Sequence, residues 1–376
     1  MLAPGLFDVW NIGHALVGVS MGAFQFNRWF AYPLKIVWEI YQVFVHYGPQ
    51  GLGLKDVWIN SVLDTVTFAL AYELALPIAR LIARTDWWKR IAPGNKYILA
   101  FLLLNSGGTF VMAWDLQPST LPANWQLMTV VFPLFLCPAI SALLIRSLIS
   151  KEGFASAGLA LQLKQNWPYY LASGILLPAI AAVLYLVIPV SSTALPVWVQ
   201  TPFSAGVSGI ATPPVLVWLV LTVQMIVLAL IMAVVMFGQE FGWRSYFQPL
   251  LFPGRPLLSS LLTGFYWGLW LISVTWRAYR LSGPAAMGLL AIPPITICLS
   301  IVLGWLREKT GTVWVPSLFH GAVAAIGGSL IFAPVYVKAE TLSVSPLGIW
   351  VLIPLLFSGG LILFARFRQR HSTRNS

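Results

Sequence analysis

A carboxylate and a guanidinium four residues apart, Glu240 and Arg244, stand at the end of a long apolar run that begins near Val215. At that spacing the two side chains share one helical face and can pair. An ionisable group at the end of a membrane-length segment is a candidate functional group by default. The pair can equally be a juxtamembrane one whose side chains snorkel to the headgroups. Two further stretches are organised for chemistry: Gly264-Phe265-Tyr266-Trp267-Gly268-Leu269-Trp270-Leu271, and Lys309-Thr310-Gly311-Thr312-Val313-Trp314 followed by Phe319-His320-Gly321-Ala322-Val323-Ala324. Together the three offer a carboxylate, an arginine and a lone imidazole inside three separate spans. A lone histidine in a membrane helix also serves as an ordinary hydrogen-bonding packer.

The elements that must position these groups are read from composition. Of 376 residues, 59% are hydrophobic and 9% charged, with 18 Trp and a mean hydropathy of +0.82. A soluble core cannot absorb so much apolar surface, and apolar runs of roughly 20 residues recur along the chain. They are continuous rather than alternating, so the fold class expected is an all-α polytopic membrane protein and not a barrel. The net charge of +11 could suggest a nucleic-acid partner, but the basic residues sit in short loops and at the C-terminus. That placement assigns them to orientation and anionic lipid, with no nucleic acid. Cys137 and Cys298 both lie in apolar runs, so neither a disulfide framework nor a cysteine zinc site is indicated. No basic n-region or small-residue cleavage site opens the chain, so no removed signal peptide is expected.

Residues 1–84 read as two or three N-terminal membrane helices: marginal spans from Leu6 to Phe24 and Tyr32 to Phe44, near His14 and His46, then a fuller one from Ile59 to Ile82. Asp56, Asn60 and Asp64 form one helical stripe, and Glu39 and Glu73 also lie at apolar depth. Such a stripe could line a polar cavity, hold a cation or pass a small solute, or simply hydrogen-bond between helices. Residues 85–96 form a basic linker placed in the cytoplasm. Eight spans follow: Tyr97 to Trp114, Gln126 to Leu148, Pro168 to Ile188, Val215 to Phe237, Leu257 to Val274, Ala286 to Trp305, Val313 to Phe332 and Pro346 to Phe367. Basic residues alternate between the loops as a cytoplasmic start demands, except that Arg277 and Arg280 fall on the outer side. Pro178, Pro213-Pro214, Pro293-Pro294 and Gly327-Gly328 are breakers tolerated where helices face protein or a watery cavity. Residues 368–376 form a basic cytoplasmic tail suited to anionic lipid.

From about Tyr97 to Phe367 the sequence resembles the CPBP family, the CAAX-prenyl-protease and bacteriocin-processing type of intramembrane protease. The residues that carry this are Gln239-Glu240-Phe241-Gly242-Trp243-Arg244, Trp267-Gly268-Leu269-Trp270, Arg307-Glu308-Lys309-Thr310-Gly311, His320 and the region around Gly158-Leu159. The family's motifs run Glu-Glu-x-x-x-Arg, then Phe or Trp-x-x-x-His, then His-x-x-x-Asn. The resemblance implies that the first glutamate activates water, aided by histidines, while the asparagine holds the oxyanion; the family's use of a metal is left open. Glu240, Arg244, Trp267 and His320 keep their motif positions. Gln239 replaces the first glutamate, Leu271 the second-motif histidine and Ala324 the asparagine. A glutamine cannot take a proton from water, and a positioned base is worth about 10²- to 10⁴-fold. Losing an oxyanion donor costs about 10²- to 10³-fold. A residual role for Glu240 as base would need a local unwinding, because adjacent helical positions point about 100° apart. Residues 1–84 faintly resemble VanZ-like membrane domains through Trp38-Glu39 and Asp56-Val57-Trp58-Ile59-Asn60.

The resemblance implies an eight-span CPBP-like bundle over residues 97–367, with the three motif helices converging on a cavity open to the cytoplasmic leaflet. Its function is expected to be that of an intramembrane endopeptidase gone weak or silent, a pseudoprotease that binds a hydrophobic or prenylated peptide as partner or immunity factor. The other course is an active endopeptidase using Glu240 and His320. One histidine and one glutamate are too few for a zinc site, so no metal or cofactor is expected. Location is expected in a bacterial cytoplasmic membrane, multi-pass, with the C-terminus inside. His320 is expected within hydrogen-bond reach of Gln239 or Glu240.

Overall fold

The computed structural model describes residues 9–41, 54–86, 89, 91–115, 132–187, 214–279 and 288–327. Every regular element among them is helical. In chain order these are α1 (Val9–Ala23), α2 (Arg28–Tyr41), α3 (Leu54–Arg84), α4 (Pro93–Asp115) and α5 (Phe132–Leu144), which ends in a π-helical turn, Ile145–Ile149. Next, α6 (Leu163–Leu171) passes through a second π turn, Ala172–Leu176, into α7 (Leu177–Val187). Then α8 (Pro214–Gly242) passes through a third, Trp243–Phe247, into α9 (Gln248–Leu251). The series closes with α10 (Pro256–Tyr279), α11 (Ile292–Thr310) and α12 (Trp314–Gly327). Helices therefore occupy seven of the eight apolar stretches; Pro346 to Phe367, the tail, His46 and Arg280 lie outside the described residues.

Among the described residues two stretches, Ser61–Arg84 and Trp218–Leu251, are long and apolar enough to cross a membrane. Each turns an apolar row outward. Val62, Val66, Leu70, Leu74, Ile78 and Leu81 are exposed on α3, as are Leu216, Leu219, Val223, Val227, Leu230 and Val234 on α8. Spacings of three and four put each row on one face. Water would penalise such a stripe and hydrocarbon would not, so the outward faces fit lipid.

The chain divides into two compact units: Met1–Phe154 with Arg277–Tyr279, and Ala155–Trp276 with Arg280–Ser376. In the first, α1 lies along α3 and α4 packs on α1. The α1–α3 contact is backbone on backbone: a Cβ on Gly18 would stand 2.5 Å from the Phe68 carbonyl oxygen, and one on Gly22 2.5 Å from that of Tyr72. Two glycines four residues apart thus let the helices touch, a device typical of apolar surroundings where packing rather than water drives association. The Tyr72 hydroxyl donates to the Phe26 carbonyl and fixes the α1–α2 corner. Arg28 pairs with Glu73 at 2.7 Å, and the Tyr32 hydroxyl donates to the same carboxylate at 2.9 Å. Of the stripe on α3, the Asp56 and Asn60 side chains lie outside the described residues, whereas Asp64 is buried against His14.

In the second unit α12 packs along α8, where Ala229, Ala322 and Ala325 form a buried small-residue seam. Helices α9, α10 and α11 are tied by polar links: Gln248 Nε2 donates to Ser260 Oγ (3.0 Å), Ser300 Oγ to the Ser260 carbonyl (2.7 Å) and Thr296 Oγ1 to the Gly264 carbonyl (2.8 Å). Away from water such bonds find few competitors. Replacing Gly22 by leucine is expected to force α1 off α3 and destabilise the first unit by about 1–3 kcal/mol, read as a lower thermal midpoint of the detergent-solubilised protein, while Leu74→Ala on the outward face leaves the midpoint within experimental scatter.

Candidate functional site

Three helices bring the expected groups together. Near the end of α8, Gln239 and Glu240 are buried, and Arg244 follows inside the π turn; Glu240 is 0% and Arg244 1% exposed. Such turns insert one extra residue and are frequent at functional sites. Trp243, in the same turn, is wedged against Phe247, Tyr266 and Trp270 with ring centroids 5.6–5.8 Å apart. Edge-to-face aromatic packing of this kind locks the turn against α10.

His320 enters from α12. Gly321 beside it allows this approach, since a Cβ there would stand 2.5 Å from the Ala233 amide nitrogen of α8. The start of α12 is stapled to the stretch after the 3₁₀ turn Ala155–Ala157: the Val313 amide donates to the Gly158 carbonyl (2.9 Å), Thr312 Oγ1 to the Ala160 carbonyl (2.6 Å) and Trp314 Nε1 to the Leu159 carbonyl (2.8 Å). Gly158 holds φ of +70°, a conformation that costs glycine little. These bonds give a structural role to the Gly158-Leu159 and Thr312-Val313-Trp314 stretches.

At the centre, His320 Nδ1 lies 2.8 Å from Glu240 Oε1. Arg244 Nη1 is 3.3 Å from the same oxygen, and Nε is 3.2 Å from Oε2. A carboxylate oxygen accepts, so Nδ1 is the ring nitrogen that carries a hydrogen toward Glu240. Trp267 completes the box: its ring stands edge-on to His320 with centroids 5.1 Å apart, and the Arg244 guanidinium carbon lies 4.8 Å from its centroid. A cation over an indole face is attracted by the ring quadrupole.

Between the adjacent candidates, Glu240 is the one that reaches His320. It does so from regular helix, and the departure from α geometry comes three residues later, at Trp243. Gln239 is 1% exposed, and its Oε1 has no hydrogen-bond partner among the described residues. Leu271 and Ala324, one turn beyond Trp267 and His320 on their own helices, are buried apolar groups at 4% and 6% exposure. Around the box the described side chains thus offer one carboxylate, already engaged, and one imidazole. That set falls short of the three protein ligands of a catalytic zinc and does not fit a metal centre. Beyond the motif spacing itself, nothing in the chain marks the Arg244–Trp267 contact.

The match of this segment to known proteins follows the same residues. Residues 218–326 match the family model for Rce1-like type II CAAX prenyl endopeptidases. These belong to the CPBP family, so the resemblance found in the motifs holds for this segment. No curated protein and no solved structure matches the chain. The Rce1-like segment takes in Gln239, Glu240, Arg244, Trp267, Leu271, His320 and Ala324, which all lie within the matched span.

The buried Arg244–Glu240 pair predicts an asymmetric response to mutation. Arg244→Met alone strands a carboxylate in a dry interior and is expected to cost about 3–5 kcal/mol. Adding Glu240→Gln, which still accepts from His320, is expected to recover more than half of that loss in a chemical-denaturation double-mutant cycle.

Proposed function

We propose that the Rce1-like segment is a catalytically silent CAAX-protease-like site that binds a hydrophobic or prenylated peptide without cleaving it. The observation that carries this reading is the engagement of Glu240. Its Oε1 accepts from Arg244 Nη1 and lies 2.8 Å from His320 Nδ1, and its Oε2 stands 3.2 Å from Arg244 Nε in the same ion pair, with the carboxylate at zero exposure. A general base must take a proton from water, and a carboxylate clamped by a guanidinium is a poor one. The position the family uses for that task holds the amide of Gln239, and the positions of a second histidine and an oxyanion donor hold Leu271 and Ala324. The side chains packed around the Glu240–Arg244 pair, Trp243, Trp267, Trp270 and Leu271, are aromatic or apolar, surroundings that suit a lipidated tail better than a polar substrate. In this reading the chain is multi-pass in a bacterial cytoplasmic membrane with its C-terminus inside, and acts as a partner or immunity factor.

A second reading rests on the His320–Glu240 bond. A carboxylate that accepts from Nδ1 fixes the tautomer and leaves Nε2 as a base, the division of labour in hydrolase triads. His320 would then be the base and Glu240 the group that orients it, giving slow endopeptidase activity.

Purified full-length protein mixed with fluorescent peptides, with and without a farnesyl group, separates the two. The silent reading expects saturable binding of the prenylated peptide and no new fragments by mass spectrometry. Fragments that vanish with His320→Ala would establish the second reading instead. Restoring the motif by Gln239→Glu, Leu271→His and Ala324→Asn together is expected to raise cleavage by at least roughly 10²-fold over background. If that triple variant binds the peptide yet stays inert, the site has been remodelled beyond those three side chains.

A further inference from the structure

The first unit buries a second ionisable cluster that the Rce1-like segment does not include. His14 of α1, Lys35 and Glu39 of α2 and Asp64 of α3 are 2%, 5%, 7% and 1% exposed. Lys35 Nζ contacts Glu39 Oε1 and lies 2.9 Å from His14 Nδ1, while His14 Nε2 lies 3.3 Å from Asp64 Oδ2. The other charged side chains described on these helices are placed differently. Arg28 and Glu73 pair with each other, and Arg80, Arg84 and Asp86 are exposed. On α4, which packs on α1, Lys96 is half-buried.

We propose that these four residues form a buried proton-binding and relay site. The contact between two nitrogens decides the charge count. A hydrogen bond between Lys35 Nζ and His14 Nδ1 holds one proton: an ammonium requires a neutral, accepting imidazole, and an imidazolium requires a neutral amine. The two bases thus carry one positive charge between them, against two carboxylates. The four groups are shielded from water, where a carboxylate oxygen without a hydrogen bond is costly to keep ionised. Glu39 Oε2, buried with no hydrogen-bond partner among the described residues, is the oxygen that gains most by taking a proton. The order Glu39, Lys35, His14, Asp64 is a chain of groups that each give and accept protons, running across three helices.

A divalent metal is the competing ligand, because donor atoms of His14, Glu39 and Asp64 lie within 4.8 Å of one another. Lys35 argues against it. With the ammonium donating to Nδ1, the hydrogen of His14 sits on Nε2, facing Asp64, and no ring lone pair remains for a metal. The lysine is the resident cation.

Infrared spectra of the full-length protein in lipid nanodiscs, taken over roughly pH 4 to 9, test the proposal. A protonated-carboxyl C=O band that grows as pH falls, is lost in Glu39→Gln and persists with a moved midpoint in Glu39→Asp is the expected result. A wild-type spectrum without such a band, or a band indifferent to both substitutions, overturns it. The same preparation is titrated with Zn²⁺. Stoichiometric binding lost in both Glu39→Gln and Asp64→Asn would make this a metal site and also overturn the proposal, whereas no binding supports the proton.

Discussion

Burying the Glu240 carboxylate without water is the constraint that the second unit is built around. A charge at zero exposure must be matched at close range, and the match comes from two directions: Arg244 one turn away and His320 from a separate helix. The first partner follows from sequence spacing alone. The second requires α12 to approach α8 closely, which the alanine seam and Gly321 permit, and requires the start of α12 to be held in place, which the carbonyls of Gly158, Leu159 and Ala160 accomplish. Trp267 then covers the pair from α10. Much of the packing of this unit serves to bring partners to one fully buried carboxylate.

The two units solve the same electrostatic problem with different chemistry. Arg244 keeps its proton under all ordinary conditions, so the Glu240 pair is charge-balanced and static. Lys35 and His14 can each release one and share a single hydrogen between them. An arginine makes a fixed support; a lysine beside an imidazole makes a place where protons can be exchanged. That distinction separates a site read as silent from one read as titrating, although both consist of buried acids and bases on neighbouring helices.

Much of the second unit was legible in the sequence. Continuous apolar runs dictate helices, and the motif spacings put Glu240, Arg244, Trp267 and His320 on faces that could converge. What the spacing left open was which of two neighbouring residues meets His320, since Gln239 and Glu240 differ by about 100° of helical rotation and either could have been turned inward. The π turn that carries Arg244 was invisible too, because nothing in Trp243-Arg244-Ser245-Tyr246-Phe247 distinguishes it from ordinary helix. In the first unit, Glu39 and Asp64 stood out as polar residues at apolar depth, and His14 as a nearby histidine. Lys35 was overlooked, although its position four residues before Glu39 carried the signal. The contact of Gly18 and Gly22 with α3 was missed for a different reason: the partner of a glycine pair is set by tertiary structure and leaves no mark in local sequence.

The π turn at Trp243–Phe247 has a consequence for how this chain can change length. Such a turn is an α-helix carrying one surplus residue, so everything after it is set round by about a third of a turn relative to an uninterrupted helix. Removing a single residue from this stretch would let the helix run straight through while α9, with Gln248 and its bond to Ser260, kept its orientation. A deletion one turn earlier, in the regular part of α8, would instead swing Glu240 away from His320. Within one continuous helix, a five-residue segment tolerates a change in length that the stretch before it does not.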